Sequence, residues 1–120
     1  MRGIMPIIWT LGHPSRRKQF EYNGDVSKGV VLHFSGNPRI SSEFFQAILN
    51  EFGGRSIKGG FSMTDPMSGG LGEWIQNNST RLNPVSLTPR HGSFIAAILV
   101  HKGLITSNLV GNAVYLNFPQ

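Results

Sequence analysis

Apolar residues recur at helical spacing in three segments of the chain, and the pattern predicts a helix in each. The first begins at Ser41 or Ser42, either of which can serve as its N-cap, and ends at the Gly53-Gly54 pair. Its apolar face comprises Phe44, Phe45, Ile48, Leu49 and Phe52. The second covers residues 71–78 and contains a glycine, so we expect it to be stable only when it packs against the rest of the fold.

The third predicted helix has the most clearly marked ends. Thr88 is suited to its N-cap, Pro89 to its first position and Gly103 to its C-terminal stop. The arc that we expect to face the core carries Phe94, Ile95, Ile98 and Leu99. The opposite arc consists of small, mostly apolar residues, which are Ser93, Ala96, Ala97 and Val100. This composition favours a helix covered on both sides, either by the N-terminal strands or by a second subunit.

The first third of the chain has the pattern of β structure, with strands predicted at residues 7–11, 18–22 and 29–34. The last two are joined across Asn23-Gly24-Asp25, whose composition is typical of a turn. A further short strand is predicted within residues 55–63, in a glycine-rich region. Its glycines match neither a Walker loop nor a Rossmann turn, so we interpret them as turn or close-packing residues.

The C-terminal segment predicts a β-hairpin about the two-residue turn Gly111-Asn112. Folding the chain about this turn pairs Leu109 with Val114 and Ser107 with Leu116 on one, apolar face. The opposite face is mostly polar. The turn and the alternation therefore specify the same register.

Together these elements predict one α+β domain, with antiparallel strands in residues 1–34 and a helical part with a C-terminal hairpin in residues 35–120. The 120 residues are 39% hydrophobic, which is enough for a packed core. Because the chain contains no cysteine, the fold rests on packing and not on disulfides. No apolar run approaches the roughly 20 residues of a membrane span, and we expect a cytoplasmic protein with no membrane partner.

From Ser41 to Phe118 the predicted order is helix, short strand, short helix, longer helix, strand, turn and strand. This order, with His101-Lys102-Gly103-Leu104-Ile105 leading into the hairpin, resembles the winged-helix family. The resemblance implies a three-helix core with a small sheet and a winged-helix-like C-terminal part. It also implies that residues 89–102 form a recognition helix in the DNA major groove and that residues 109–112 form the tip of a wing touching the backbone.

The charge balance adds a functional expectation. Eleven lysine and arginine residues against six acidic residues give a net charge of +5 and an isoelectric point near 10.3. Basic proteins attract polyanions, so we predict a nucleic-acid-binding protein, with DNA held mainly by its phosphate backbone and with weak sequence selectivity. The candidate contacts are Arg16, Arg17, Lys18, Arg55, Lys58, Arg81, Arg90 and His91.

Two groups of candidate contacts have an alternative interpretation. The cluster at residues 16–18 is also what a solvated loop contains. Arg90 and His91 lie in the first turn of the third helix, where backbone N–H groups favour an anion, but they are equally suited to packing and capping. Arg55 and Lys58 lie on the strand that follows the first helix.

Two other function classes compete with nucleic-acid binding. One is a non-catalytic homodimeric interaction module whose interface is the arc of Ala96, Ala97 and Val100. The other is catalysis, for which the six carboxylates and four histidines show neither a nuclease pattern nor a metal-ligand spacing. We therefore predict no metal and no cofactor and do not expect an enzyme. A site assembled from distant residues, such as His13, His33 and the serines near His91, stays open.

Overall fold

The computed structural model describes residues 7–12, 17–34, 36–64, 67–111 and 113–120. Within these residues the chain forms antiparallel strands, three helices and a C-terminal hairpin, which confirms the predicted α+β class. Among the described residues, none of the helices combines the length and the apolar character needed to cross a bilayer.

The N-terminal sheet contains four antiparallel strands in the order β1-β2-β3-β4. These are β1 (Ile7–Trp9), β2 (Gln19–Asp25), β3 (Gly29–His33) and β4 (Arg39–Ile40). The sequence predicted the first three, with ends that differ by a few residues. It did not predict β4, which is only two residues long.

The turn between β2 and β3 lies further along the chain than predicted. Strand β2 continues through residues 23–25, and Asp25 pairs with Gly29. The Val26 N–H donates to the Asp25 carboxylate (2.7 Å), and the Lys28 N–H donates to the Asp25 carbonyl (3.0 Å). Gly29 closes the turn with a φ of 101°, a conformation that favours glycine. The turn is therefore fixed by Asp25 and Gly29 and not by the Asn-Gly pair.

Helix α1 (Ser42–Phe52) begins as predicted, since the Ser41 hydroxyl accepts a hydrogen bond from the Phe44 N–H (3.1 Å). Helix α2 (Leu71–Leu82) extends four residues beyond its predicted end. Three of the four added residues are polar, but Ser79 is fully buried, and its hydroxyl accepts from the Leu87 N–H (2.8 Å) and donates to the Leu87 carbonyl (3.3 Å). A polar residue with buried partners gives no apolar periodicity, which explains the short prediction.

The C-terminal sheet has the strand order β5-β7-β6, with β5 (Ser56–Lys58), β6 (Thr106–Val110) and β7 (Ala113–Asn117). The predicted hairpin register is confirmed, because Leu109 pairs with Val114 and Ser107 pairs with Leu116. Strand β5 is shorter than predicted because Gly60, with a φ of 61°, turns the chain away from the sheet.

Helix α3 (His91–His101) is covered on two sides by the chain itself, and its residues 92–99 are all buried. The N-terminal sheet covers one side: the Leu11 N–H donates to the Ser93 carbonyl (3.2 Å), and the rings of Phe20 and Phe94 lie 4.8 Å apart. Helix α2 and the segment that follows β5 cover the other side. In the structure the N-terminal strands, and not a second subunit, cover the first of these two sides of the helix.

This burial corrects two expectations. Ala96 is fully buried and Ala97 is 4% exposed, while Val100 is half-buried against the core, so this arc is not a free surface for a second subunit. The same burial leaves residues 92–99 without a face to present to a DNA groove. The prediction of a recognition helix over residues 89–102 was wrong in this respect, because the N-terminal strands, which precede the segment that carried the resemblance, cover the helix.

Candidate functional site

A cleft of about 990 Å³ lies where the end of β1, the start of α3, the segment after β5 and the C-terminal hairpin meet. Three cationic residues line it, Lys18, Lys58 and Arg90, and we call it the basic cleft. None of its described lining residues is an aspartate or a glutamate. None of the three cations forms an ion pair with a described carboxylate, since the ion pairs of the described residues join Arg55 to Glu51 and Lys102 to Asp25.

Lys18 is held at the cleft by the end of the N-terminal sheet. The Thr10 N–H donates to the Lys18 carbonyl (2.8 Å), and the Lys18 N–H donates to the Thr10 hydroxyl (2.9 Å). Thr10 is 5% exposed, so this pair of hydrogen bonds is shielded from water. The backbone of Lys18 is thus fixed, while its side chain stays exposed.

Lys58 is the last residue of β5 and pairs with Tyr115 of β7. Its ammonium lies 5.9 Å from the centre of the Tyr115 ring, within the range of a cation–π contact. The next residue, Gly59, donates its N–H to the Val114 carbonyl (2.9 Å). The strand pairing therefore continues one residue past Lys58 and orients it at the cleft.

Arg90 lies at the N-cap of α3 and is exposed. Its carbonyl accepts hydrogen bonds from the Ser93 hydroxyl (3.0 Å) and the Ser93 N–H (3.2 Å). The first turn of α3 contains no acidic residue. A cation at the positive end of a helix dipole is unfavourable by itself, so an anion bound beside Arg90 would relieve two like charges.

His91 has a different role from the neighbouring arginine. Its Nδ1 accepts a hydrogen bond from the Thr88 N–H (3.0 Å) and lies 3.0 Å from the Thr88 hydroxyl oxygen. Burial and, to a smaller extent, the charge of Arg90 lower the pKa of His91. A neutral, hydrogen-bonded ring is a cap and not a phosphate contact, so the capping interpretation holds for His91.

The backbone donors at the start of α3 are also occupied. The N–H groups of His91 and Gly92 donate to the carbonyls of Thr88 and Pro89, each at 3.0 Å. These are bonds of a tight turn that precedes the regular helix. They leave the side chain of Arg90, and not these backbone donors, to attract an anion.

The other predicted contacts that the structure describes lie outside the basic cleft. Arg55 forms an exposed ion pair with Glu51 (3.6 Å) and lies over the Phe52 ring, while Arg81 donates to the side chain of Asn78 (2.6 Å). Arg17 lies 5.6 Å from the centre of the Trp9 ring. Arg16 and His13 are outside the described residues. Of the eight candidates, the structure gathers Lys18, Lys58 and Arg90 into one place.

Sequence reasoning missed the aromatic residues of the cleft, which are Phe34, Phe61 and Phe94. The rings of Phe34 and Phe94 lie 4.6 Å apart, with Phe94 buried and Phe34 partly buried. The Phe61 ring packs against the backbone at Gly59 and Gly92, where an added Cβ would lie 2.5 Å and 2.8 Å from ring atoms. The glycines beside Phe61 were the only sequence signal for this arrangement.

Three glycines in the middle of the chain, Gly59, Gly60 and Gly72, pack closely against neighbouring backbone or side chains. A Cβ on Gly72 would overlap the Gly60 carbonyl oxygen, and the Gly72 N–H donates to the Gly59 carbonyl (2.8 Å). These contacts confirm that Gly59, Gly60 and Gly72 are close-packing residues. They hold the segment carrying Phe61 against the start of α2.

Within the described part of the chain, no three His, Asp or Glu side chains gather into a group that could hold a metal ion. Neither a known protein family nor a curated protein nor a solved structure matches this chain.

Proposed function

We propose that this protein binds nucleic acid, with backbone phosphates held in the basic cleft by Lys18, Lys58 and Arg90. The observation that carries the proposal is the convergence of three cations from distant parts of the chain on one cleft with no carboxylate among its described lining residues. Lysine and arginine are the principal phosphate contacts of proteins. Cations in a cleft without neutralising acids also raise the local concentration of an anionic partner.

Weak sequence selectivity follows from the same lining. Direct reading of base edges favours asparagine, glutamine or a bidentate arginine. Arg90, which this proposal assigns to a phosphate, is the one residue of these types among the described lining residues. The Ser93 hydroxyl already donates to the Arg90 carbonyl, and the Thr10 hydroxyl already accepts from Lys18. Charge is therefore the dominant contribution that this cleft offers to affinity.

We also propose that residues 41–118 are related in architecture to winged-helix domains. The element order α1, β5, α2, α3, β6, β7 supports this, as does the joining of β5 and the hairpin in one small sheet. In this proposal the basic cleft replaces the covered third helix as the nucleic-acid contact. Strand β6 carries no lysine or arginine, so the hairpin offers apolar residues, and not phosphate contacts, to the cleft.

The test compares charge-neutralised variants by fluorescence anisotropy of labelled 20-nucleotide DNA, single-stranded and duplex, at about 50 mM salt. Lys18→Gln, Lys58→Gln and Arg90→Gln should each weaken binding of the preferred probe by about fivefold, since each removes one charged contact of about 1 kcal/mol. Arg81→Gln is the matched control, because it removes the same charge outside the cleft.

Two results would contradict the proposal. One is the absence of saturable binding of either DNA at tens of micromolar protein. The other is an equal loss of affinity in Arg81→Gln and in the cleft variants, because the binding would then reflect net charge and not this cleft.

A further inference from the structure

We infer that the basic cleft takes single-stranded nucleic acid, with one unpaired base stacked on the ring of Phe61. This inference rests on the proposed function, because the same three cations would hold the phosphates on either side of the stacked base. It adds the class of nucleic acid and names the residue that distinguishes it.

The Phe61 ring is fixed in position by two glycines. It lies so close to Gly59 and Gly92 that a Cβ added to either glycine would clash with the ring. Gly92 is the second residue of α3 and has no side chain at the point where the ring packs. A ring that packs closely on the backbone at two glycines and also lines the cleft is suited to serve as a preorganised stacking surface.

The rest of the cleft is more apolar than phosphates alone require. The buried Phe94 and the partly buried Phe34 also line it, as do the exposed side chains of Met67 and Val110. A sugar-phosphate chain presents much less apolar surface than a base, whose π-face matches such a lining. A charged groove combined with an aromatic platform is the usual arrangement for binding single strands.

A duplex fits this surface less well. Its bases are stacked on one another, and a protein reaches their edges only with an element that projects into a groove. The helix that the winged-helix resemblance assigns to that task is buried over residues 92–99. The basic cleft is concave, and a base can enter it only when it is unpaired.

The experiment measures the affinity of the full chain for three labelled probes at about 100 mM salt: a 12-nucleotide oligothymidylate, an abasic oligomer of the same length, and a 12-base-pair duplex. The abasic oligomer keeps the phosphates and removes the bases. We expect the oligothymidylate to bind about tenfold more tightly than either other probe, since stacking one base on an aromatic ring contributes a factor of this size.

Phe61→Leu keeps an apolar side chain and removes the ring. It should lower the affinity for oligothymidylate to that for the abasic oligomer and leave the abasic affinity unchanged. Trp9→Leu is the control, because Trp9 is an exposed aromatic residue that does not line the cleft. If Phe61→Leu does not fold, the comparison of the three probes with the unaltered protein still decides.

The outcomes separate this inference from the proposed function. Equal, salt-sensitive binding of all three probes, or tightest binding of the duplex, would overturn the single-strand inference and leave phosphate binding intact. No binding of any probe by the folded protein would overturn both. A dimer that occludes the cleft and excludes every probe would do the same and would indicate a protein partner.

Discussion

Nδ1 of His91 lies 3.0 Å from the backbone nitrogen of Thr88, so the first residue of α3 accepts a hydrogen bond from the residue at which the preceding turn begins. In a capping box a glutamate or glutamine makes this contact, and here a neutral imidazole makes it. Only the unprotonated Nδ1 accepts a hydrogen bond. The start of α3, and with it the placement of Arg90, therefore depends on the protonation state of His91.

This dependence predicts a loss of stability in mild acid. Burial, and then the Arg90 charge, lower the folded-state pKa of His91 below its ordinary value of 6.5. Just below pH 6.5 the unfolded chain consequently binds more protons at this residue than the folded chain does, and the free energy of unfolding falls as the pH falls. Urea denaturation at pH 7.5 and at pH 5.5 measures the difference.

A glutamine at position 91 isolates the contribution of His91. His91→Gln keeps an acceptor for the Thr88 N–H and does not titrate, so its loss of stability between the two pH values should be smaller than that of the unaltered protein. His91→Ala should be less stable at pH 7.5 by about 1 kcal/mol, because the cap is gone. An identical pH dependence in the unaltered protein and His91→Gln would show that other groups cause the effect.

Truncating the Asn83 side chain should greatly lower the free energy of unfolding. Its side chain accepts from the Ser41 N–H (2.8 Å) and donates to the carbonyls of Arg39 (2.8 Å) and Val85 (2.9 Å). Asn83→Ala removes three hydrogen bonds from a nearly buried site and should lower the free energy of unfolding by about 2–4 kcal/mol. The control is Asn77→Ala at an exposed position of α2, which should not lower it in the same urea titration, because alanine is the better helix former.

Replacing Gly72 by alanine should destabilise the protein, which is the opposite of what helix propensity alone predicts. In an open helix, glycine to alanine stabilises by about 1 kcal/mol. A Cβ at position 72 would overlap the Gly60 carbonyl oxygen, so we expect Gly72→Ala to destabilise the protein by about 2 kcal/mol or more. Thermal unfolding decides between the two signs, with the exposed Gln76→Ala in the same helix as reference. A higher melting temperature for Gly72→Ala would contradict the close packing.

Ala97 distinguishes burial within the chain from burial between chains. Because its methyl group is 4% exposed in the single chain, Ala97→Glu places an unpaired charge in the core and should destabilise the protein by about 3 kcal/mol or more. Gln76→Glu is the control at an exposed helical position. Circular dichroism and the mass in solution report the result. If the unaltered protein is a dimer and Ala97→Glu is a folded monomer, this result would instead support the predicted dimer interface at Ala96, Ala97 and Val100.

Local signals could be read from the sequence, and contacts between distant segments could not. The hairpin register was predictable because Gly111 and the alternation around it agree. The turn after β2 was misplaced because Asn23-Gly24 is a stronger local signal than the carboxylate of Asp25 and the left-handed φ of Gly29, which fix the actual turn. Both devices act within a few residues, so the error was small.

The basic cleft is formed by contacts between distant segments, which the sequence does not specify. Lys18, Lys58 and Arg90 come from the edge of one sheet, a strand of the other and the start of a helix, and no spacing relates them. They come together because the N-terminal sheet covers α3. The apolar residues on both sides of that helix indicated that it is covered, but they did not specify by which part of the protein. Composition predicted the basic character, and only tertiary structure identifies which cations face the same ligand.

The most direct test of the central claim is the salt dependence of DNA affinity in two triple variants of equal net charge. Lys18→Gln/Lys58→Gln/Arg90→Gln removes the cleft cations, and Lys28→Gln/Arg39→Gln/Arg81→Gln removes three exposed cations outside the cleft. We expect the slope of log affinity against log salt to shrink by about 2 in the first variant, since each lost single-strand phosphate contact changes it by about 0.7, and to be unchanged in the second. Equal slopes in the two variants would contradict the assignment of phosphate binding to the basic cleft.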